Sequence, residues 1–204
     1  MPLINADRMM MSILPEPVKD HLPEWAQTLR DKDQSWMSVA QKGVEAFVAQ
    51  AMLNEVAFAM ETVFSYWEVS ADGKVKSKID NIRSMQDAGY FVLLFFVGLS
   101  NVELSIARVQ SRFIAGGHTI PEDRLRTRFP KTQQAIGLAM NVADASVFVD
   151  NSGDPKTAFT LCRVQIKSRP AATFDIRTAG MAVPASITTW MSNVAPLVGL
   201  GAIN

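Results

Sequence analysis

Polar groups suited to catalysis follow four short apolar runs of this chain. Asp7 follows Leu3–Asn5, and Glu61 and Thr62 follow Val56–Met60. Ser100 and Asn101 follow Tyr90–Leu99, and Asp150, Asn151 and Ser152 follow Ser146–Val149. In a parallel sheet these groups project toward one rim, where ligands bind. Asp7 and Glu61 would then share a cleft, as acid–base or metal-phosphate chemistry requires. A plainer reading stays open beside this one. Helix caps and turns use the same residue types, so Asp7 also suits a cap and Asp150 a turn.

The second feature is a basic run. Arg108, Arg112, Arg124, Arg126, Arg128 and Lys131 face only Glu122 and Asp123, six positive charges against two negative. Arg108 and Arg112 are one helical turn apart. Gly116, Gly117 and His118 then form a joint before the next three arginines. Arginine suits bidentate phosphate contact, so a hinged Arg-bearing helical pair over about 108–131 would act as a lid on polyphosphate. A solvated face with ion pairs to Glu122 and Asp123 explains the same spacing. Nucleic acid is the weaker third reading, because only Phe113 and Phe129 interleave the run.

Composition excludes several other chemistries. The 204 residues carry 20 Lys+Arg and 20 Asp+Glu, so no global charge draws the chain to nucleic acid or anionic membrane. A single cysteine, Cys162, excludes an intrachain disulfide and a Cys-rich zinc site. Two histidines, His21 and His118, exclude a three-His metal site. No metal site is expected from these residues. The longest apolar run, Phe91–Val97, is far below the roughly 20 residues of a bilayer crossing. Asp7 and Arg8 precede any apolar stretch, which argues against a signal peptide. A cytoplasmic protein is expected, with neither nucleic acid nor membrane as partner.

The elements that would position these groups alternate. Ser35 to Glu55 has helical spacing at Val39, Val44, Phe47, Val48, Met52 and Leu53. Lys74–Ala88 reads as an amphipathic helix ended by Gly89. Tyr90–Leu99 reads as a central parallel strand buried on both faces. Asn101–Ala115 and Pro121–Ala143 read as helices, the second interrupted by Pro130, and Thr157–Ile166 as a strand. The order implies an α/β fold, a parallel sheet covered by helices. The last 35 residues suggest only a weak helix near Ala185–Val198.

Several blocks in this order resemble one known family. They are Ile4-Asn5-Ala6-Asp7, Met60–Ser65, Asp87–Tyr90 leading into Leu94-Phe95-Phe96, Glu103–Val109 with Arg112, Gly116–Pro121, Arg128-Phe129, and Asp150–Gly153. Together they resemble the zeta-toxin-like P-loop kinases, in the branch often described as predicted ABC-type ATPase. The resemblance covers about residues 3–167 and leaves 168–204 as an extension of unknown role. It implies ATP- and Mg2+-dependent phosphoryl transfer to a small-molecule hydroxyl, such as that of a UDP-amino sugar, and an antitoxin protein as partner. It also implies roles. Asp7 would be the base, and Arg108, Arg112 and Arg128 would neutralise the transferring phosphoryl group. Glu61, Thr62 and His118 would hold the acceptor, and Asp150 and Asn151 would lie near the nucleotide.

One departure bears on activity. Such kinases open with a strand, a G-x-x-x-x-G-K-[ST] loop and a helix, whose backbone N–H groups and Lys cradle phosphates. The only Gly-Lys here is Gly73-Lys74, with Glu68 and Val75 where the motif needs Gly and Ser/Thr. The resemblance therefore implies an incomplete kinase domain lacking that first unit, with two strands deprived of a neighbour and the chain inactive as it stands. A non-catalytic remnant or interaction module is the alternative expectation. A phosphate-handling enzyme that uses the arginines without a P-loop is a third.

Overall fold

The computed structural model describes residues 1–196 apart from 13, 16–21, 70, 72–74, 115–119, 155 and 170. His21, Asp72-Gly73 and the Gly116-Gly117-His118 joint therefore lie outside the described residues. The chain divides into two compact units, residues 1–63 with 109–120 and residues 64–108 with 121–204.

The first unit pairs β1 (Leu3–Ile4) in parallel with β2 (Ala59–Met60). Between them run α1 (Ala6–Met11), α2 (Glu24–Lys32) and α3 (Gln34–Leu53). Asp33 starts α3 by accepting from the backbone N–H groups of Ser35 (2.9 Å) and Trp36 (3.1 Å), an N-cap that satisfies two orphan donors. The expected helix is present, and of its expected apolar positions Val44, Val48 and Met52 are half-buried. Ala40 is buried, while Val39, Phe47 and Leu53 are exposed.

The second unit begins with a hairpin, β3 (Trp67–Val69) antiparallel to β4 (Val75–Ser77). The helix expected from Lys74 starts only at Ile79, as α4 (Ile79–Asp87). The reason is local. Ser77 Oγ accepts from Ile79 N (3.2 Å) and the Asp80 carboxylate accepts from Ser77 N (3.1 Å), which turns the chain out of the hairpin there. Gly89, at φ +86°, ends α4 in the left-handed conformation glycine adopts without steric cost.

The sheet of this unit runs β5-β6-β7-β8: Leu93–Gly98, Ala145–Asp150, Thr160–Ile166 and Phe174–Asp175. The all-parallel expectation is corrected. Only β5 and β6 are parallel, while β7 and β8 return antiparallel. The reason is the short connection between β6 and β7, which cannot hold a crossover helix.

The expected position of β5 is also corrected. Among the described residues it is an edge strand, not a central one. Leu94 is buried, but Leu93, Phe95 and Val97 are 55%, 57% and 42% exposed. An apolar run marks burial without telling an edge from a centre, because pairing is non-local.

The helices α4, α6 (Glu122–Val142) and α7 (Ala185–Val194) build the core with the inner sheet face. Ile82, Leu94, Ile136, Met140, Phe148, Cys162, Ile187, Trp190 and Met191 meet there. The helix α6 continues through Pro130, which removes one backbone donor without ending it. Its second half, with Ala135, Ile136, Ala139 and Met140, is buried, so the helix expected as part of a lid is anchored in the core. In the second unit α7 and the residues around β8 join the same core as β5 and β6.

Candidate functional site

In the first unit the ends of β1 and β2 are joined by side chains. Asn5 caps α1, its Oδ1 accepting from Arg8 N at 3.0 Å, and its Nδ2 donates to the Glu61 carboxylate. The cap is therefore Asn5, not Asp7. Asp7 stands exposed in the first turn of α1, where a carboxylate complements the helix dipole. Glu61 leaves β2 with its N–H bonded to Ile4 O at 3.1 Å, and Thr62 follows half-buried. Asp7, Glu61 and Thr62 thus belong to one unit, beside the carboxyl ends of two parallel strands.

The second unit has its own strand-end cluster. Asn151 N donates to Gly98 O at 2.9 Å, extending the parallel pair past its last register. Ser152 then links the two strand ends. Its hydroxyl accepts from Ser100 N (2.7 Å) and donates to the Asp150 carboxylate (2.6 Å), which also accepts from Ser152 N (3.1 Å). These bonds satisfy Asp150 although it is only 3% exposed. Asn101 Oδ1 accepts from Leu104 N at 2.9 Å and so caps α5 (Val102–Ile114). The Arg108 guanidinium, further along α5, donates to Asn151 O. The structure therefore brings Arg108, Asp150 and Asn151 together, with Ser100 and Ser152.

The arginines of the basic run meet different surroundings. Arg108 is engaged at the strand ends. Arg126 is neutralised by Glu122 (2.8 Å) and Glu103 (3.0 Å), and Arg126 holds the Glu103 carboxyl below its ordinary range. This is the solvated ion-pair reading, realised for one arginine. Arg124 and Arg128 lie one turn apart on α6, and no carboxylate bonds to either among the described residues. Arg128 is half-buried. Burial and the neighbouring Arg124 charge both push its guanidinium below its ordinary value. Arg112 is exposed on α5, within the first unit. His118 lies outside the described residues.

An ion cluster in the second unit was not foreseen. Asp175, on β8, accepts from Arg163 Nη1 at 2.5 Å and from Arg177 Nη2 at 2.6 Å, and all three side chains are largely buried. Arg177 also donates to Ala195 O at 2.8 Å, tying β8 to the end of α7. The only sequence signal is the Asp-x-Arg spacing of residues 175 and 177, which is too common to single out. Cys162, fully buried beside this cluster, has its thiol pushed up to about 11, chiefly by burial.

No protein-family model matches the chain, and no solved structure matches it. An uncharacterised protein of Haemophilus influenzae is 29% identical over 79 residues, which are 39% of this chain and 50% of that protein. The chain thus spans half the length of this curated relative. Among the described residues no helix is long and apolar enough to cross a membrane, and no three His, Cys, Asp or Glu side chains gather as metal ligands.

Proposed function

We propose that this chain is the phosphate-binding part of a small-molecule kinase of the zeta-toxin-like P-loop type. The observation that carries this reading is the Arg124–Arg128 pair. Arg128 is half-buried with the Arg124 charge beside it, and no carboxylate bonds to either among the described residues, so an anion held there would relieve both charges. Phosphoryl transfer is catalysed largely by positioning and by positive charge at the transferring group. The parallel β5–β6 pair, with Asp150 and Asn151 at its carboxyl end, agrees with a nucleotide held at strand ends.

The donor set fits phosphate oxygens. Arg124 and Arg128 would hold them, while Arg108 braces the strand end through Asn151. ATP would supply the phosphoryl group and Mg2+ would neutralise its oxygens. The roles of Asp7 as base and of Glu61 and Thr62 as acceptor contacts rest on the family resemblance alone. The acceptor class, a UDP-amino sugar hydroxyl, and an antitoxin-type partner rest on the family resemblance alone.

The test is binding of ATP with Mg2+, and of tripolyphosphate, to the full chain by calorimetry. Binding that is lost in Arg128→Ala and retained in Arg126→Ala is the expected result. No binding, or equal loss in both variants, overturns it. A second reading, a non-catalytic interaction module, predicts a folded chain indifferent to both ligands.

A further inference from the structure

We propose that the edge of β5 that no strand pairs among the described residues is a self-association surface, where β5 of a second copy of this chain adds as an antiparallel strand. The backbone parity is legible from the other side of the strand. The carbonyls of Val92 and Gly98 accept from Ala145 N (3.3 Å) and Asn151 N (2.9 Å), so even-numbered residues point their polar groups at β6. By the two-residue period of a strand, Leu93, Phe95 and Val97 point their N–H and C=O groups at the open edge. The same residues carry the exposed side chains, with Phe91 (70% exposed) just before them.

Exposure is concentrated at this edge rather than spread across the sheet face. On the neighbouring strand Val149 is buried and Ala145 and Val147 are half-buried. A strand laid beside β5 would pair its open N–H and C=O groups and shield these side chains from one side through cross-strand neighbours. The edge lacks the usual guards against such pairing. No Lys, Arg, Asp, Glu or Pro occurs from Tyr90 to Leu99, and the β5–β6 register runs without a bulge.

A second copy is the occupant that fits. The edge is uncharged, so two copies oppose no like charges, and a charged partner would lose hydration without gaining a pair. A two-fold axis makes the strands antiparallel and the contact self-complementary. With the axis at Leu94, Leu93 stands opposite Phe95 and Phe91 opposite Val97. All four pairs then use residues whose backbone faces the edge and whose side chains share one face. The four exposed side chains offer roughly 400 Å² per copy, below the about 800 Å² per partner of a standard interface. The association is therefore weak and concentration-dependent.

Sedimentation equilibrium of the full chain tests this. The mass is expected to rise from 22.4 kDa toward twice that value as concentration reaches about 100 µM. Phe95→Lys, at an exposed position, should keep the circular dichroism spectrum and remain monomeric. Hydrogen exchange should show the amides of Leu93, Phe95 and Val97 gaining protection with concentration. A wild-type monomer throughout, a dimer that survives Phe95→Lys, or open-ended aggregates would each overturn the proposal. Protection independent of concentration would mean that a strand of the same molecule holds the edge, and it would overturn the proposal too.

Discussion

Trp190 closes over Gly98 so tightly that a methyl group on Gly98 would lie 2.0 Å from Trp190 Cζ2. The last residue of β5 and the centre of α7 therefore share one volume. Trp190 is held in place by its Nε1, which donates to Gln133 Oε1 at 2.7 Å, and by Phe96, whose ring centroid is 6.1 Å away. Gly98→Ala is expected to destabilise the chain by about 1–3 kcal/mol through overpacking, because the buried indole has no free direction to move. Urea denaturation measures this. The Gly98→Ala, Trp190→Phe pair should lose less than the sum of its two singles, as contacting residues do.

The Asp175 ion cluster predicts a pH effect with a definite sign. Burial pushes the Asp175 carboxyl up, but the bonds and charges of Arg177 and Arg163 outweigh it and bring it below the ordinary value. A carboxyl depressed in the folded state adds stability above its unfolded pKa, near about 3.9, and loses it as pH falls through the folded value. Asp175→Asn is expected to cost about 3–5 kcal/mol at neutral pH, since it leaves two buried guanidiniums short of an anion. Its stability should also vary less with pH below about 4 than that of the wild type. Thermal melts from neutral to acid pH check both statements, and equal slopes for the two proteins would contradict the second.

Cys162 should be inert in the folded chain. Its thiol is buried and pushed up to about 11, so almost no thiolate exists near neutral pH. Reaction with a thiol reagent at neutral pH should be slow in buffer and fast in denaturant. Rapid labelling without denaturant would show that the core opens locally around β7.

Asn5 and Asp7 predict a contrast between support and chemistry. Asn5→Ala removes both the α1 cap and the bond to Glu61, and a loss of about 1 kcal/mol is expected from the cap. Asp7→Ala removes an exposed side chain and should leave the urea midpoint much closer to that of the wild type. A larger loss from Asp7→Ala would assign Asp7 a structural part.

Local features were legible from the residues alone. The span of α3, the end of α4 at Gly89, the strand at 160–166 and the polar groups following each apolar run all depend on near neighbours in sequence. Capping, helical periodicity and left-handed glycine act over a few residues, so the amino-acid order suffices for them. The arginine run was also visible as a run. Its division into a braced Arg108, a neutralised Arg126 and an Arg124–Arg128 pair with no carboxylate partner among the described residues was not.

Tertiary structure alone decided that division, because Asn151 and Glu103 lie 43 and 23 residues from the arginines they meet. It also decided that β5 is an edge and that β7 turns back. Hydrophobicity reports burial, but strand neighbours and direction depend on distant pairing. The final stretch shows the same limit. With few charges and a weak helical pattern it reads as an extension of unknown role, yet Ile187, Trp190, Met191 and Val194 fill the core beneath the sheet. Only packing against Gly98, Phe96 and Phe148 gives those residues their place.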